Sequence, residues 1–467
     1  MHAATAKVPL RSPRPWRRRV NTGGASEAND DGRRALKAAS IAFYIDAFDA
    51  YVPVIALAPA YVYFLPDSIP VALRTTLAYI VFFTLSWIGR PLGAVVFGHF
   101  GDTIGRRRIT LLSIGGFGIS TLLMGLLPGY ASIGFVGVAL FAILRLLGGM
   151  CIGGEYTGAA PLALEYASIK QRGLWGSLCN IGYPLALASI TGLAFILLDL
   201  FPEGGPTAAY SVWGWRIPFY IGALMALVLT YYYYTSIPES EVWAKSTKSK
   251  SPLIELSNAV NRRRMAQVFV LMLGAWFTLN TVAGSIGTVL HVILKVNGSI
   301  VTLAIFISTL VGAMLFPFMG VLGQKIGRKQ AYIGLGIINA TITPLLYIWL
   351  VADAFNNKAL LIILVLLIQI PTLLVWSLVT AYITESFDTR VRSSGYGLGF
   401  SLATIPAAFY SVYMLWLSNF MPYKYTQIVF LALGGGLIAV GAGMGSDNRM
   451  VEFVPDVALS SDTSKVR

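Results

Sequence analysis

Charge is what this sequence has least of. Asp, Glu, Lys and Arg make up 12% of its residues, about half of the roughly 25% usual in soluble domains. A soluble chain of 467 residues would need far more charge to cover its surface, which excludes an ordinary cytosolic enzyme. Cysteine is nearly absent. Cys151 and Cys179 lie in apolar surroundings, fit no CxxC pattern and give no disulfide framework, so they read as packing residues. Histidine is confined to His2, His99 and His291, too scattered for a metal site. There is no nucleophile triad and no Walker loop. The Gly-rich stretch 148–154 follows no strand, so a dinucleotide site is excluded too. No enzymatic activity and no cofactor are expected.

What the chain does have is apolar length. The residues AVILMFWYC make up 56% and the mean hydropathy is +0.69. Runs of about 20 apolar residues are long enough to span a bilayer. Twelve occur, near 38–64, 74–97, 109–128, 134–158, 173–199, 215–236, 266–291, 300–322, 330–351, 359–382, 393–417 and 425–445. They are continuous rather than alternating, so helices are expected and a β-barrel is not. The 47 glycines suit helices packed closely in lipid. Residues 1–37 are polar and basic and lack the apolar core of a secretory signal. The polar stretch 239–264 divides the helices six and six. The expected organisation is therefore a basic tail (1–37), a six-helix bundle (38–238), a linker (239–264), a second bundle (265–445) and a tail (446–467).

The net charge of +14 could invite nucleic acid, acidic lipid or a topology signal. Position decides. If the N-terminus is cytoplasmic, 28 of the 35 Lys and Arg fall in cytoplasmic tails and loops, and five fall on the other side. That asymmetry is the positive-inside pattern. It places both termini in the cytoplasm of a multi-pass protein of the cell membrane and removes the case for nucleic acid.

The two halves repeat. Gly98, Asp102, Gly105, Arg106 and Arg107 follow the second segment. Gly320, Gln324, Gly327 and Arg328 follow the eighth at a constant offset of 222. Glu165 and Arg172 recur as Glu385 and Arg392 at an offset of 220. Such a duplication suggests bundles related by an axis along the membrane normal.

The loop 98–108 resembles the G-x-x-x-D-R-x-G-R-R motif of the major facilitator superfamily, with Thr103 in place of its Arg and Gln324 in place of the acid in the second copy. Gly89–Gly98, Arg145 through Tyr156, Trp213–Phe219 and Pro238-Glu239-Ser240 resemble the metabolite–proton symporter branch of that family. The resemblance covers roughly 38–445. It implies an all-α fold of twelve transmembrane helices in two bundles, which alternates access to a central site. It also implies a latch at the cytoplasmic end, made from the loop motif with Glu165, Arg172, Glu385 and Arg392.

Ionisable groups inside a membrane are costly and need a reason. The first half holds Asp46, Asp49, Arg90, Arg145 and Glu155, whereas the second half offers polar groups such as Asn280 and His291. At 1.5 Å per residue the first four lie roughly 11–20 Å from the cytoplasmic helix ends, at overlapping depths. Asp46 and Asp49, three apart, share a helix face. A buried cluster of two acids and two bases follows. Two neighbouring carboxyls in low dielectric resist double ionisation, so protons are the expected coupling ion. An arginine face left open would take a substrate carboxylate. The expected function is proton-coupled uptake of a small organic acid by a monomer. A symporter of betaine or proline-type osmolytes and a proton-coupled exporter are the alternatives. The exporter lacks support because the fifth segment reads Asn180-Ile-Gly182-Tyr-Pro184 without the Gly-Gly that ends the exporter element.

Overall fold

The structure, a computed structural model, describes residues 24–66, 68–69, 74, 77–104, 106–202, 204–236, 256–352, 356–388, 391–451 and 453. Within these, only the backbone is described for 24–31, 58, 98–99, 101–104, 106–107, 155–159, 162, 236, 288, 291–292 and 299. Among the described residues there is no strand. Among these residues twelve helices are long and apolar enough to cross a membrane: α1 (Gly32–Ile55), α2 (Leu77–Phe97), α3 (Arg108–Leu126), α4 (Phe135–Gly154), α5 (Arg172–Leu200), α6 (Tyr210–Thr235), α7 (Ala259–Ser285), α8 (Ile300–Ile326), α9 (Arg328–Ala352), α10 (Lys358–Ser386), α11 (Arg392–Leu417) and α12 (Tyr423–Met444).

The helices differ from the apolar runs mainly at their ends. Backbone helicity reaches back to Gly24, into the polar stretch assigned to a tail, and α7 starts at Ala259, within the stretch assigned to a linker. The helix of α4 continues to Glu165. Hydropathy registers only the part of a helix that crosses hydrocarbon, whereas a helix in water can continue on polar residues. The first apolar run, in contrast, is broken early. The α1 helix ends at Ile55, and Ala58–Tyr63 forms a separate 3-10 turn. Pro59 at the start of that turn lacks the N–H that a continuing α-helix requires.

Packing follows the sequence halves, with α2 against α4, α3 against α6, α8 against α10 and α7 and α9 against α12. The closest approach is made by glycine. A Cβ on Gly93 of α2 would lie 1.8 Å from the Met150 carbonyl, and one on Gly153 of α4 would lie 2.0 Å from the Arg90 carbonyl. The two backbones therefore touch, as small residues allow in helix pairs within lipid. The halves meet where α5 packs on α8 and α10, and where α2 packs on α11. Two π-helical turns, Ile80–Thr84 and Asn280–Ser285, re-aim α2 and α7 near the centre of the molecule.

Candidate functional site

The contact between α2 and α4 sets the site. With no side chains at Gly89 and Gly93, α2 lies flush against α4, and Arg90 and Arg145 reach α1 together. Arg90 grips Asp46 with both ends of its fork, Nη2 to Oδ1 at 2.6 Å and Nη1 to Oδ2 at 3.2 Å. Arg145 Nη1 donates to Asp49 Oδ2 at 2.8 Å, and Thr121 Oγ1 donates to Asp49 Oδ1 at 2.8 Å. The four residues expected to cluster from their depth are brought together, as two separate ion pairs.

The pairs face different surroundings. Asp46 and Arg90 line a cavity between the halves, with Tyr51 and Trp87 from the same half. Asn180 and Tyr183 of α5, Trp276 of α7, Trp376 of α10 and Phe400 of α11 complete it. Asp49 and Arg145 lie behind it, 1% and 0% exposed at their side chains. The rings interlock. The Trp276 centroid is 4.4 Å from those of Trp87 and Trp376, and the Arg90 guanidinium lies 4.0 Å over Trp87.

Among the described residues, three buried donors of residues on this lining have no hydrogen-bond partner: Trp87 Nε1, Arg90 Nε and Trp376 Nε1. Buried donors are rarely left unpaired. The lining is short of acceptors.

Both sides of the cavity are closed by contacts between the halves. Towards the basic loops, Arg392 of α11 donates to Glu165 at the end of the α4 helix, at 2.8 Å. Arg172 at the start of α5 packs nearby. Away from them, Tyr79 and Tyr410 stack edge to face at 5.1 Å, and Thr84 Oγ1 donates to the Ala408 carbonyl.

The second copy of the loop motif is held by Arg328. Arg328 binds both oxygens of Glu385 at 2.6 and 2.7 Å, and Gln324 accepts from Arg328 Nη2 at 2.7 Å. Gln324 thus accepts where an acid was expected, while Glu385 supplies the carboxylate. Gly327 has φ +111°, a conformation that favours glycine.

The other expectations fare unevenly. Gly98 is described only as helical backbone, and the side chains of Asp102, Arg106, Arg107, Glu155 and His291, and all of Gly105, lie outside the described residues. Asn280 is not brought to the ion pairs; its Nδ2 donates to the Ala407 carbonyl and ties α7 to α11. Trp376, Phe400 and Tyr183 gave no warning in the sequence, because an aromatic residue in an apolar run looks the same whether it faces lipid, core or cavity. Arg216, quoted only for its motif, donates to Tyr63 Oη and the Leu127 carbonyl and braces the first half.

A family model described as Major Facilitator Superfamily matches residues 40–411. The chain is 29% identical to an inner membrane metabolite transport protein of Escherichia coli (strain K12), over 83% of this chain and 88% of that protein. It is 26% identical to the shikimate transporter of the same organism, over 71% and 75% respectively. It is 28% identical to an ectoine/proline transporter of Corynebacterium glutamicum, over 70% and 67%. In fold it is similar to a crystal structure of a D-xylose–proton symporter, with a TM-score of 0.64 at 18% identity, covering 90% of this chain and 97% of that one. A partially occluded, inward-open xylose transporter from E. coli gives a TM-score of 0.65 at 16% identity, over 88% and 96%. The chain, a multi-pass integral membrane protein with a buried charged site between two six-helix halves, belongs to the Major Facilitator Superfamily of transporters.

Proposed function

We propose that the protein is a proton-coupled symporter that imports a small organic anion, and that the Asp46–Arg90 pair is where proton and anion meet. The observation that carries this reading is that pair's position on the central cavity, beside three donors without acceptors. An anion supplies acceptors. A bare cation would add to the shortage.

Coupling follows from charge. Asp46 neutralises Arg90 in the empty site. A proton on Asp46 alone would leave Arg90 buried and uncompensated, at a cost of several kcal/mol. An anion alone would set two carboxylates against one guanidinium. Proton and anion together keep the site neutral, with the substrate carboxylate taking the fork that Asp46 releases. Loaded and empty forms then carry the same site charge, and only these two reorient cheaply through the low-dielectric interior. Asp49 and Arg145, sealed from the cavity, hold α1 against α4. In this reading the basic loops and both termini face the cytoplasm, as the distribution of Lys and Arg favours.

The second reading is a zwitterionic osmolyte, favoured by the rings of Trp87, Trp276 and Trp376, which could face a quaternary ammonium. The relatives' names, a shikimate transporter and an ectoine/proline transporter, span both readings. The test is a thermal-shift screen of purified protein against mono-, di- and tricarboxylates, cyclic acids and betaines, followed by uptake of the hits into proteoliposomes. Stabilisation by carboxylates, with uptake that collapses on adding a protonophore, supports the proposal. Stabilisation by betaines alone, or uptake indifferent to pH and protonophore, overturns it.

A further inference from the structure

Beyond α12 the described residues, 445–451 and 453, stay against the rest of the molecule. Lys329 Nζ donates to the carbonyls of Gly443 and Gly445 at 2.8 and 2.9 Å. Asn448 Nδ2 donates to the Glu385 carbonyl at 3.3 Å, and Arg449 Nη1 donates to the Lys325 carbonyl at 2.8 Å. These contacts fasten the segment to the second half. A few residues later it crosses to the first half. Arg172 Nη1 donates to the Val451 carbonyl. Phe453 packs against an apolar cluster formed by Leu164, Ala167 and Trp175 of the first half and Ala381 of the second.

The placement of that ring follows the internal repeat. Arg172 and Arg392 are the repeat-related arginines, one from each half. Their guanidinium carbons lie 3.6 and 3.9 Å from the Phe453 centroid. A phenyl ring attracts a cation over its face, so one side chain of the C-terminal segment draws together two arginines that would otherwise repel. Arg392 is also the partner of Glu165 in the ion pair between the halves. Opening this end requires the start of α5 to move away from the start of α11. A segment anchored to the second half cannot follow both, so it must release Arg172 and the apolar patch of the first half.

We propose that the described residues 445–451 and 453 act as an intramolecular strap that holds the basic end of the transporter closed, with Phe453 as its pin. The proposal rests on alternating access but not on the identity of the substrate. The strap sets the closed-to-open ratio without touching the cavity.

The experiment measures a distance across the basic end in the full chain, in lipid nanodiscs. Cys151 and Cys179 are replaced by Ala, and spin labels are placed on Lys170→Cys and Gln330→Cys, both exposed positions in opposite halves. Phe453→Ala should lengthen the distance, raising the open population relative to the closed roughly fivefold, the scale expected when a cation–π interaction in part-buried surroundings is removed. Deletion of 446–467 should lengthen it further, and Phe453→Trp should restore the parent distribution. Glu165→Gln, which breaks the ion pair between the halves, reports on opening itself. If Glu165→Gln lengthens the distance while Phe453→Ala and the deletion leave it unchanged, the strap is overturned and the transport reading stands. If none of the three moves it, both fall.

Discussion

Two aspartates one helical turn apart have different surroundings here, and the proposed difference in their roles rests on those surroundings. Asp46 faces the cavity with Arg90, while Asp49 is sealed behind it with Arg145 and Thr121. Asp46→Asn should therefore abolish uphill uptake in proteoliposomes and leave exchange of substrate between the two sides. A variant that still accumulates substrate against a gradient would contradict this role. Asp49→Asn should instead lower stability by about 3–5 kcal/mol, because it leaves Arg145 buried without its counter-charge. Thermal unfolding in detergent measures that loss, and an unchanged Tm would remove the structural assignment. The sequence makes both acids visible, since a carboxyl in an apolar run always needs a reason. It cannot rank them. The ranking depends on which acid the packing of α1 and the rings of the second half leave facing the cavity, and those rings come from helices whose order in space is not written in hydropathy.

At the scale of the helix, glycine decides how closely elements approach. Gly93 has no room for a methyl group, because its Cβ would meet the Met150 carbonyl. Gly436 in α12 has nothing within 4 Å of a Cβ. Gly93→Ala should destabilise by about 1–3 kcal/mol or more through forced separation of α2 and α4, and it should displace Arg90 as well. Gly436→Ala should be neutral or slightly stabilising, since alanine is the better helix former. Thermal unfolding of the pair checks this, and equal effects would refute the packing argument. The helices themselves were legible as twelve apolar runs. Their ends were not, because Arg262, Arg263 and Arg264 extend α7 beyond its apolar part. Nor were the π-helical turns, which depend on tertiary contacts rather than local composition.

The whole molecule is a pair of halves whose contacts close it on both sides of one cavity. The repeat at offsets of 222 and 220 made the two-fold organisation readable without coordinates. The resemblance implied a latch containing Glu165 and Arg392, but the pairing of these two across the halves was not readable, and neither was the closure at the other end, because Tyr79 and Tyr410 carry no motif. Tyr79→Ala removes the edge-to-face contact at the end opposite the basic loops. It should widen spin-label distances across that end and leave the basic end unchanged; widening at both ends would argue against two independent gates.

The proposed mechanism turns on anion and proton entering the Asp46–Arg90 site together. The most direct measurement is calorimetric titration of the purified protein with the best-stabilising carboxylate across a range of pH, in buffers of different ionisation enthalpy. Binding should take up about one proton per anion, so affinity should weaken about tenfold for each unit rise in pH wherever Asp46 is ionised in the empty site. Asp46→Asn should bind the same anion with no proton uptake and no such slope. Binding without proton uptake in the parent, or an unchanged proton count in Asp46→Asn, would contradict joint entry at this pair.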